Sequence, residues 1–153
     1  MVWGCFAGTA VSDLVRIQGI LRKKGYLEIL QENAVPSGER LRGRNFTFQE
    51  DNDPKHSSRI CRNYLASLEE DRLKRMIWPL QSPDLSPIEL IWDELDRRIR
   101  QKGVTSSQDL WRKLQQAWTE IPATFLKSLI LRMPRICTAV IKSKGGHIDE
   151  KSV

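Results

Sequence analysis

Two carboxylates in this sequence are placed for metal chemistry. Asp51 closes the run Asn45-Phe46-Thr47-Phe48-Gln49-Glu50 and opens Asn52-Asp53-Pro54-Lys55-His56. Glu89 follows Trp78-Pro79-Leu80-Gln81-Ser82-Pro83-Asp84-Leu85-Ser86-Pro87-Ile88. The first run reads as a short strand with a carboxylate at its end, which is where ligands usually sit in open α/β sheets. The second reads as a proline-stiffened loop that delivers Glu89 into the first turn of a helix. A carboxylate from a strand end and one from a helix start can share a divalent cation such as Mg²⁺, which prefers oxygen ligands and keeps several waters.

Each residue also has a plainer reading. Asp-Asn-Asp-Pro is turn-forming chemistry in its own right. Ser86 with Glu89 three residues on fits a capping box, worth about 1 kcal/mol, and a glutamate that caps is not free to hold a metal. His56 suits either a phosphate or a solvated helix start, and Lys55 either a backbone phosphate or open solvent. Trp92, Trp111 and Trp118 lie on or beside helical apolar stripes, where packing is the commoner role, and Trp78 before Pro79 also reads as packing.

The rest of the chain must position this pair. Residues 2–6 read as a strand, 7–10 as its turn and 11–17 as the hairpin partner, with Val11, Asp13, Val15 and Ile17 on one side. A helix starts near Lys24 with Tyr26, Leu27, Ile29, Leu30 and Ala34 at helical spacing, and Pro36-Ser37-Gly38 interrupts or ends it. Arg40, Arg42 and Arg44 then form a basic connector to the strand at 46–49. Ile60, Cys61, Tyr64, Leu65 and Leu68 mark a second helix, and 74–78 a short strand. Ser86-Pro87-Ile88-Glu89 starts a helix with the stripe Ile88, Ile91, Trp92, Leu95 and Ile99, a basic exit and a stop at Gly103. Ser106 caps the next helix. Pro122 opens another, which Pro134 breaks before a last short helix carrying Ile136, Val140 and Ile141. The order is an α/β layer with a helical C-terminal tail.

Composition sets the frame. A length of 153 residues suits one domain with a real core, and 40% hydrophobic with 29% charged residues is ordinary for a globular protein. No apolar run approaches the roughly 20 residues of a membrane span, and the first residues lack the pattern of a secretory leader. Three scattered cysteines form no CxxC pair and suit a reducing compartment, and with two histidines a Cys/His zinc site is improbable. The net charge of +6 favours a polyanionic partner, or else simply a solvated basic surface.

Taken together, Phe48 to His56 and Trp78 to Glu89 resemble the Tc-type branch of the mariner superfamily of DNA transposases. Met1-Val2-Trp3-Gly4-Cys5-Phe6 resembles that family's sheet hairpin, and Ile141-Lys142-Ser143-Lys144-Gly145-Gly146-His147 its C-terminal end. The resemblance implies a ribonuclease-H-like α/β fold, a mixed sheet flanked by helices. It implies three carboxylates holding two Mg²⁺ or Mn²⁺ ions, with Asp51 matching the second carboxylate and Glu89 the third. Lys55, His56, Arg42 and Arg44 become candidate DNA contacts, and Asp53 lies in the motif without being a ligand. The implied partners are transposon-end and target DNA, with self-association or pairing to a full-length transposase, in the nucleus, and with neither a membrane nor a small-molecule substrate.

Two departures from the pattern matter. Positions 52–88 put 37 residues between Asp51 and Glu89, a few more than the branch commonly has, and the surface stretch 68–74 can absorb them. The family's first aspartate ends a central strand upstream of the hairpin, and nothing here lies upstream of Met1. The expectation is a partial fold lacking that strand: residues 1–148 as the C-terminal part of the catalytic domain, and 149–153 as a disordered tail. Such a chain is expected to be inactive by itself. The alternatives are a DNA- or transposase-binding remnant that does not cut, and a functionless relic.

Overall fold

Alternating apolar residues at the N-terminus build a hairpin in two short ladders. In the computed structural model, which describes residues 1–80, 82–146 and 148, β1 (Val2–Trp3) pairs antiparallel with β4 (Val15–Arg16), and β2 (Phe6–Ala7) with β3 (Ala10–Val11). The register changes between the ladders, because three residues, Ser12 to Leu14, face two, Gly4 and Cys5. This is a bulge. Ser12 stabilises it: its N–H donates to the Cys5 carbonyl (2.8 Å) and its Oγ accepts from the Cys5 N–H (2.9 Å). The bulge overturns the simple alternation expected for 11–17. Ser12 and Leu14 are buried and Asp13 is exposed.

The chain divides into two compact units, Met1–Gln81 and Ser82–Val153. In the first, α1 (Lys23–Ile29) runs through a π-helical turn (Leu30–Ala34) into α2 (Val35–Arg42). Pro36 therefore interrupts the helix without ending it, and Arg40 and Arg42 are helical rather than part of a connector. Proline lacks an N–H and its ring clashes with the carbonyl four residues back. The wider turn, with the Val35 N–H reaching the Leu30 carbonyl, accommodates it. The extra residue also keeps the apolar stripe on one face, since Tyr26, Leu30, Ala34 and Val35 are all buried.

These residues join Phe46, Cys61, Leu65, Leu68 and Leu73 in one core. Each fully buried side chain of this kind contributes about 1.5–3 kcal/mol. The helix α3 (Arg59–Ala66) packs on α1, and β5 (Phe46–Phe48) pairs in parallel with β6 (Leu73–Arg75). The strand expected at 74–78 starts one residue earlier and stops at Arg75, with Ile77 97% exposed. Among the described residues no ladder joins the hairpin to β5–β6.

Gly38 sits where a Cβ would lie 2.3 Å from Cζ of the Phe46 ring. That ring is wedged in the core, so Gly38→Ala forces it aside. The overpacking cost of about 1–3 kcal/mol outweighs the helix-propensity gain of up to about 1 kcal/mol. A lowered urea midpoint is expected for Gly38→Ala, and a raised one would contradict this packing.

The second unit is helical: α4 (Pro87–Lys102), α5 (Ser107–Thr119) and α6 (Ala123–Lys142), preceded by a 3₁₀ turn (Pro83–Leu85). Ile91, Leu95 and Ile99 of α4 are buried, as are Ala117 and Trp118 of α5 and Leu126, Leu129 and Ile136 of α6. Trp118 stacks on Trp92 with ring centroids 5.1 Å apart. Ser106 caps α5 by accepting from the Asp109 N–H (3.0 Å), as expected. Pro134 does not break α6. It is exposed, and the buried residues on both sides of it hold one continuous helix against a proline cost of about 3 kcal/mol. Gly145 turns the chain after α6, and the residues expected as a loose tail, 149–153, lie outside the described residues, as does His147.

On α4, Glu94 accepts from Arg97 through two nitrogens (2.9 Å each) and from Arg98 Nε (2.7 Å). These bonds hold its carboxyl down to about 2 from an ordinary 4.5. A lowered folded-state pKa gives stability that is present above pH 4.5 and is lost as pH falls toward 2. Glu94→Gln should therefore flatten the acid limb of a plot of melting temperature against pH in that window. An unaltered limb would show that the pair contributes nothing there.

Candidate functional site

The strand β5 carries the chain out of the core, Phe46 in and Thr47 out, and Gln49, Glu50 and Asp51 follow its end. Asp51 then begins two successive side-chain turns. Its Oδ1 accepts from the Asp53 N–H (3.1 Å), and Asp53 Oδ1 accepts from the Lys55 N–H (2.8 Å). The turn reading of Asp-Asn-Asp-Pro is thus correct without excluding a second role. Burial pushes the Asp53 carboxyl up, but hydrogen bonds from the Lys55 side chain and backbone outweigh it and hold the group below its usual range. Asp53 is engaged on both oxygens, since Lys55 Nζ lies 2.7 Å from Oδ2.

Asp51 differs. Its side chain is 64% exposed, and His56 Nδ1 lies 2.5 Å from the same Oδ1 that closes the turn. Its Oδ2 has no hydrogen-bond partner among the described residues. His56 is itself stacked on the Tyr26 ring, centroids 3.9 Å apart at 27°. The Tyr26 hydroxyl donates to Glu50 Oε2 (2.6 Å). Burial, reinforced by Glu50, pushes the Tyr26 hydroxyl well above its ordinary pKa, and burial also raises Glu50. On the other flank, Asn52 Nδ2 donates to the carbonyls of Trp78 (2.9 Å) and Pro79 (3.2 Å). Asp51, Asn52, Arg75, Ile77 and Trp78 line one open depression of about 410 Å³.

Tyr26 and Glu50 are neighbours of this candidate site that the periodicity hid, because Tyr26 scans as one more apolar residue of a helical stripe. The signal available was its hydroxyl: a tyrosine on a buried stripe needs a polar partner.

Glu89 is an exposed residue in the first turn of α4, in the second unit. Ser86 precedes that helix in extended conformation but makes no side-chain capping bond, so the capping box is not formed. Of the candidate DNA contacts, Lys55 is paired with Asp53 and Arg44 with Asp71 (3.0 Å). Arg42, exposed in the last turn of α2, has no ion pair among the described residues. The donor chemistry of Asp51 fits a hard divalent cation. No group of three His, Cys, Asp or Glu side chains arranged for a metal occurs among the described residues. Nor is any helix among them long and apolar enough to cross a membrane.

No model of a protein family matches the chain. It is 41% identical over 145 residues to the transposable element Tcb1 transposase of Caenorhabditis briggsae, a match covering 95% of the chain and 52% of that protein. It is 40% identical, with the same coverage, to the transposable element Tc1 transposase of Caenorhabditis elegans. The chain is a homologue of the Tc-type transposases. It spans about half the length of the curated relatives it matches.

The fold of this transposase homologue agrees. A structure of the Mos1 transposase catalytic domain with Raltegravir and Mn superposes with a TM-score of 0.72 at 15% identity, covering 97% of the chain and 82% of that domain. The corresponding Mg structure gives 0.73 at 17% identity, covering 97% and 75%. The homologue therefore has the ribonuclease-H-like fold of that domain, with its sheet represented by separate ladders. Any alignment of 145 of the 153 residues spans both acidic motifs, so Asp51 and Glu89 fall inside the region shared with the Tcb1 and Tc1 proteins.

Proposed function

We propose that residues 1–148 act as the C-terminal part of a transposase catalytic domain, in metal-dependent cutting and joining of DNA strands in the nucleus. The observation that carries this reading is the 41% identity to the Tcb1 transposase across both acidic motifs. Asp51 and Glu89 are the metal ligands in this proposal, and Mg²⁺ or Mn²⁺ the ions, since the Mos1 catalytic domain has been solved with each. When bound, such ions activate the attacking oxygen and stabilise the leaving oxygen of a phosphodiester.

The chain's own residues do the rest. Asp51 offers Oδ2 while His56 and the Asp53 N–H fix Oδ1. Asn52 holds the Trp78–Pro79 backbone beside it. Arg42, with no ion pair among the described residues, supplies a positive charge for a backbone phosphate, whereas Lys55 and Arg44 must first leave Asp53 and Asp71. The net charge of +6 favours DNA approach, with salt-dependent affinity. Further copies of the chain or a longer transposase are partners in the same reading.

The 153-residue chain alone is expected to leave DNA intact, because Asp51 and Glu89 supply only two of the three carboxylates that the family resemblance implies. The test is a chimera in which the remaining half of a Tc-type relative precedes the chain. The proposal expects Mg²⁺-dependent nicking of transposon-end DNA. A folded chimera that never nicks would remove the catalytic reading.

A further inference from the structure

Glu50 and Asp51 are adjacent carboxylates at one strand end, yet their surroundings separate them. Glu50 Oε2 accepts from the Tyr26 hydroxyl at 2.6 Å, and Tyr26 is 1% exposed, anchored in the core of the first unit. A face of the same ring stacks on His56, whose Nδ1 meets Asp51 Oδ1. One side chain from α1 thus engages both acids, Glu50 directly and Asp51 through the imidazole. The result is asymmetric: Glu50 has an oxygen committed to the core, while Asp51 keeps Oδ2 without a hydrogen bond among the described residues.

We propose that Tyr26 is a positioning residue that sorts these two carboxylates, its hydroxyl withdrawing Glu50 and its ring bracing His56, so that Asp51 alone meets a divalent cation. The inference rests on the reading of Asp51 as a ligand. Its chemical sense lies in coordination number. Mg²⁺ demands near-octahedral geometry and retains waters. Two neighbouring carboxylates on one ion would occupy positions that a phosphate oxygen and its attacking water need.

The test uses the 153-residue chain and Mn²⁺. The sequence has two histidines, so His147→Gln leaves His56 as the single imidazole signal in a proton spectrum. In this parent, added Mn²⁺ broadens the His56 ring resonances, and Asp51→Asn removes the effect. Tyr26→Phe keeps the ring but loses the hydroxyl. A carboxylate deprived of a buried partner seeks another, and Glu50 then joins Asp51 on the ion. Mn²⁺ is expected to bind roughly tenfold more tightly to Tyr26→Phe than to the parent, because affinity rises with the number of charged ligands. Adding Glu50→Gln to that variant should return the affinity to the parent value.

The outcomes separate the two claims. If Asp51→Asn leaves the broadening in place, Asp51 is not the ligand and the underlying reading fails. If Asp51→Asn removes it but Tyr26→Phe binds Mn²⁺ no more tightly than the parent, the sorting role of Tyr26 fails alone. Tighter binding that survives Glu50→Gln would overturn it as well.

Discussion

Asp51→Asn, made in the chimera that nicks DNA, is expected to lower the Mg²⁺-dependent rate by at least about 10³-fold, or roughly 4 kcal/mol of barrier. Asparagine is the informative replacement because it keeps the local architecture. Its side-chain oxygen can still accept from the Asp53 N–H and close the first turn, which alanine cannot. What it removes is the negative charge that a cation needs. Asp53→Asn is the matched control. It too preserves a turn, to the Lys55 N–H, and loses a charge, but that charge is spent on Lys55. Its rate should stay close to the parent. Equal losses at Asp51 and Asp53 would mean that the turn, and not the ligand, matters. Glu89→Gln should match the effect of Asp51→Asn.

Trp118→Ala carries the largest expected stability loss. Trp118 is 0% exposed in the helical unit and stacks on Trp92. Truncating a buried tryptophan costs about 3–5 kcal/mol through lost transfer energy and the cavity left behind. The stack adds about 0.5–1.5 kcal/mol. Total stabilities run near 5–15 kcal/mol, so this single change removes a large share. A drop in urea midpoint with loss of near-ultraviolet dichroism is expected. Trp92→Ala, which removes the same stack from a side chain that is only partly buried, should cost less, and the reverse ranking would contradict the packing described for α4 and α5.

Much of this was legible in the residues because local chemistry agreed with the fold. The apolar run into Asp51, the Ser106 cap, and the stripe Ile91, Leu95 and Ile99 closed by Gly103 each state their structure within a few positions. Pro134 misled, and Pro36 left interruption and ending open, for one reason. A proline's cost is local, whereas what overrides it is burial spread over several turns. Leu126, Leu129 and Ile136 span Pro134, and Leu30 and Val35 bracket the turn before Pro36. The Ser12 bulge escaped because alternation assumes an unbroken register. The Ser86 side-chain cap on α4 does not form although the residue type is correct, since sequence gives the types but not the hydroxyl direction. The Tyr26–Glu50 contact joins positions 24 apart in sequence, a separation that no short-range pattern reports.

The π-helical turn has a consequence for how this chain is compared with others. From Leu30 to Val35 the backbone hydrogen bond spans five residues where an ordinary helix spans four. The helix therefore contains one surplus residue within its length. Relatives that dispense with the turn would show a one-residue gap near Gln31–Asn33, in a segment that reads as uninterrupted helix. Aligning such sequences without a gap would displace Tyr26 against its true counterparts while leaving Val35 in register.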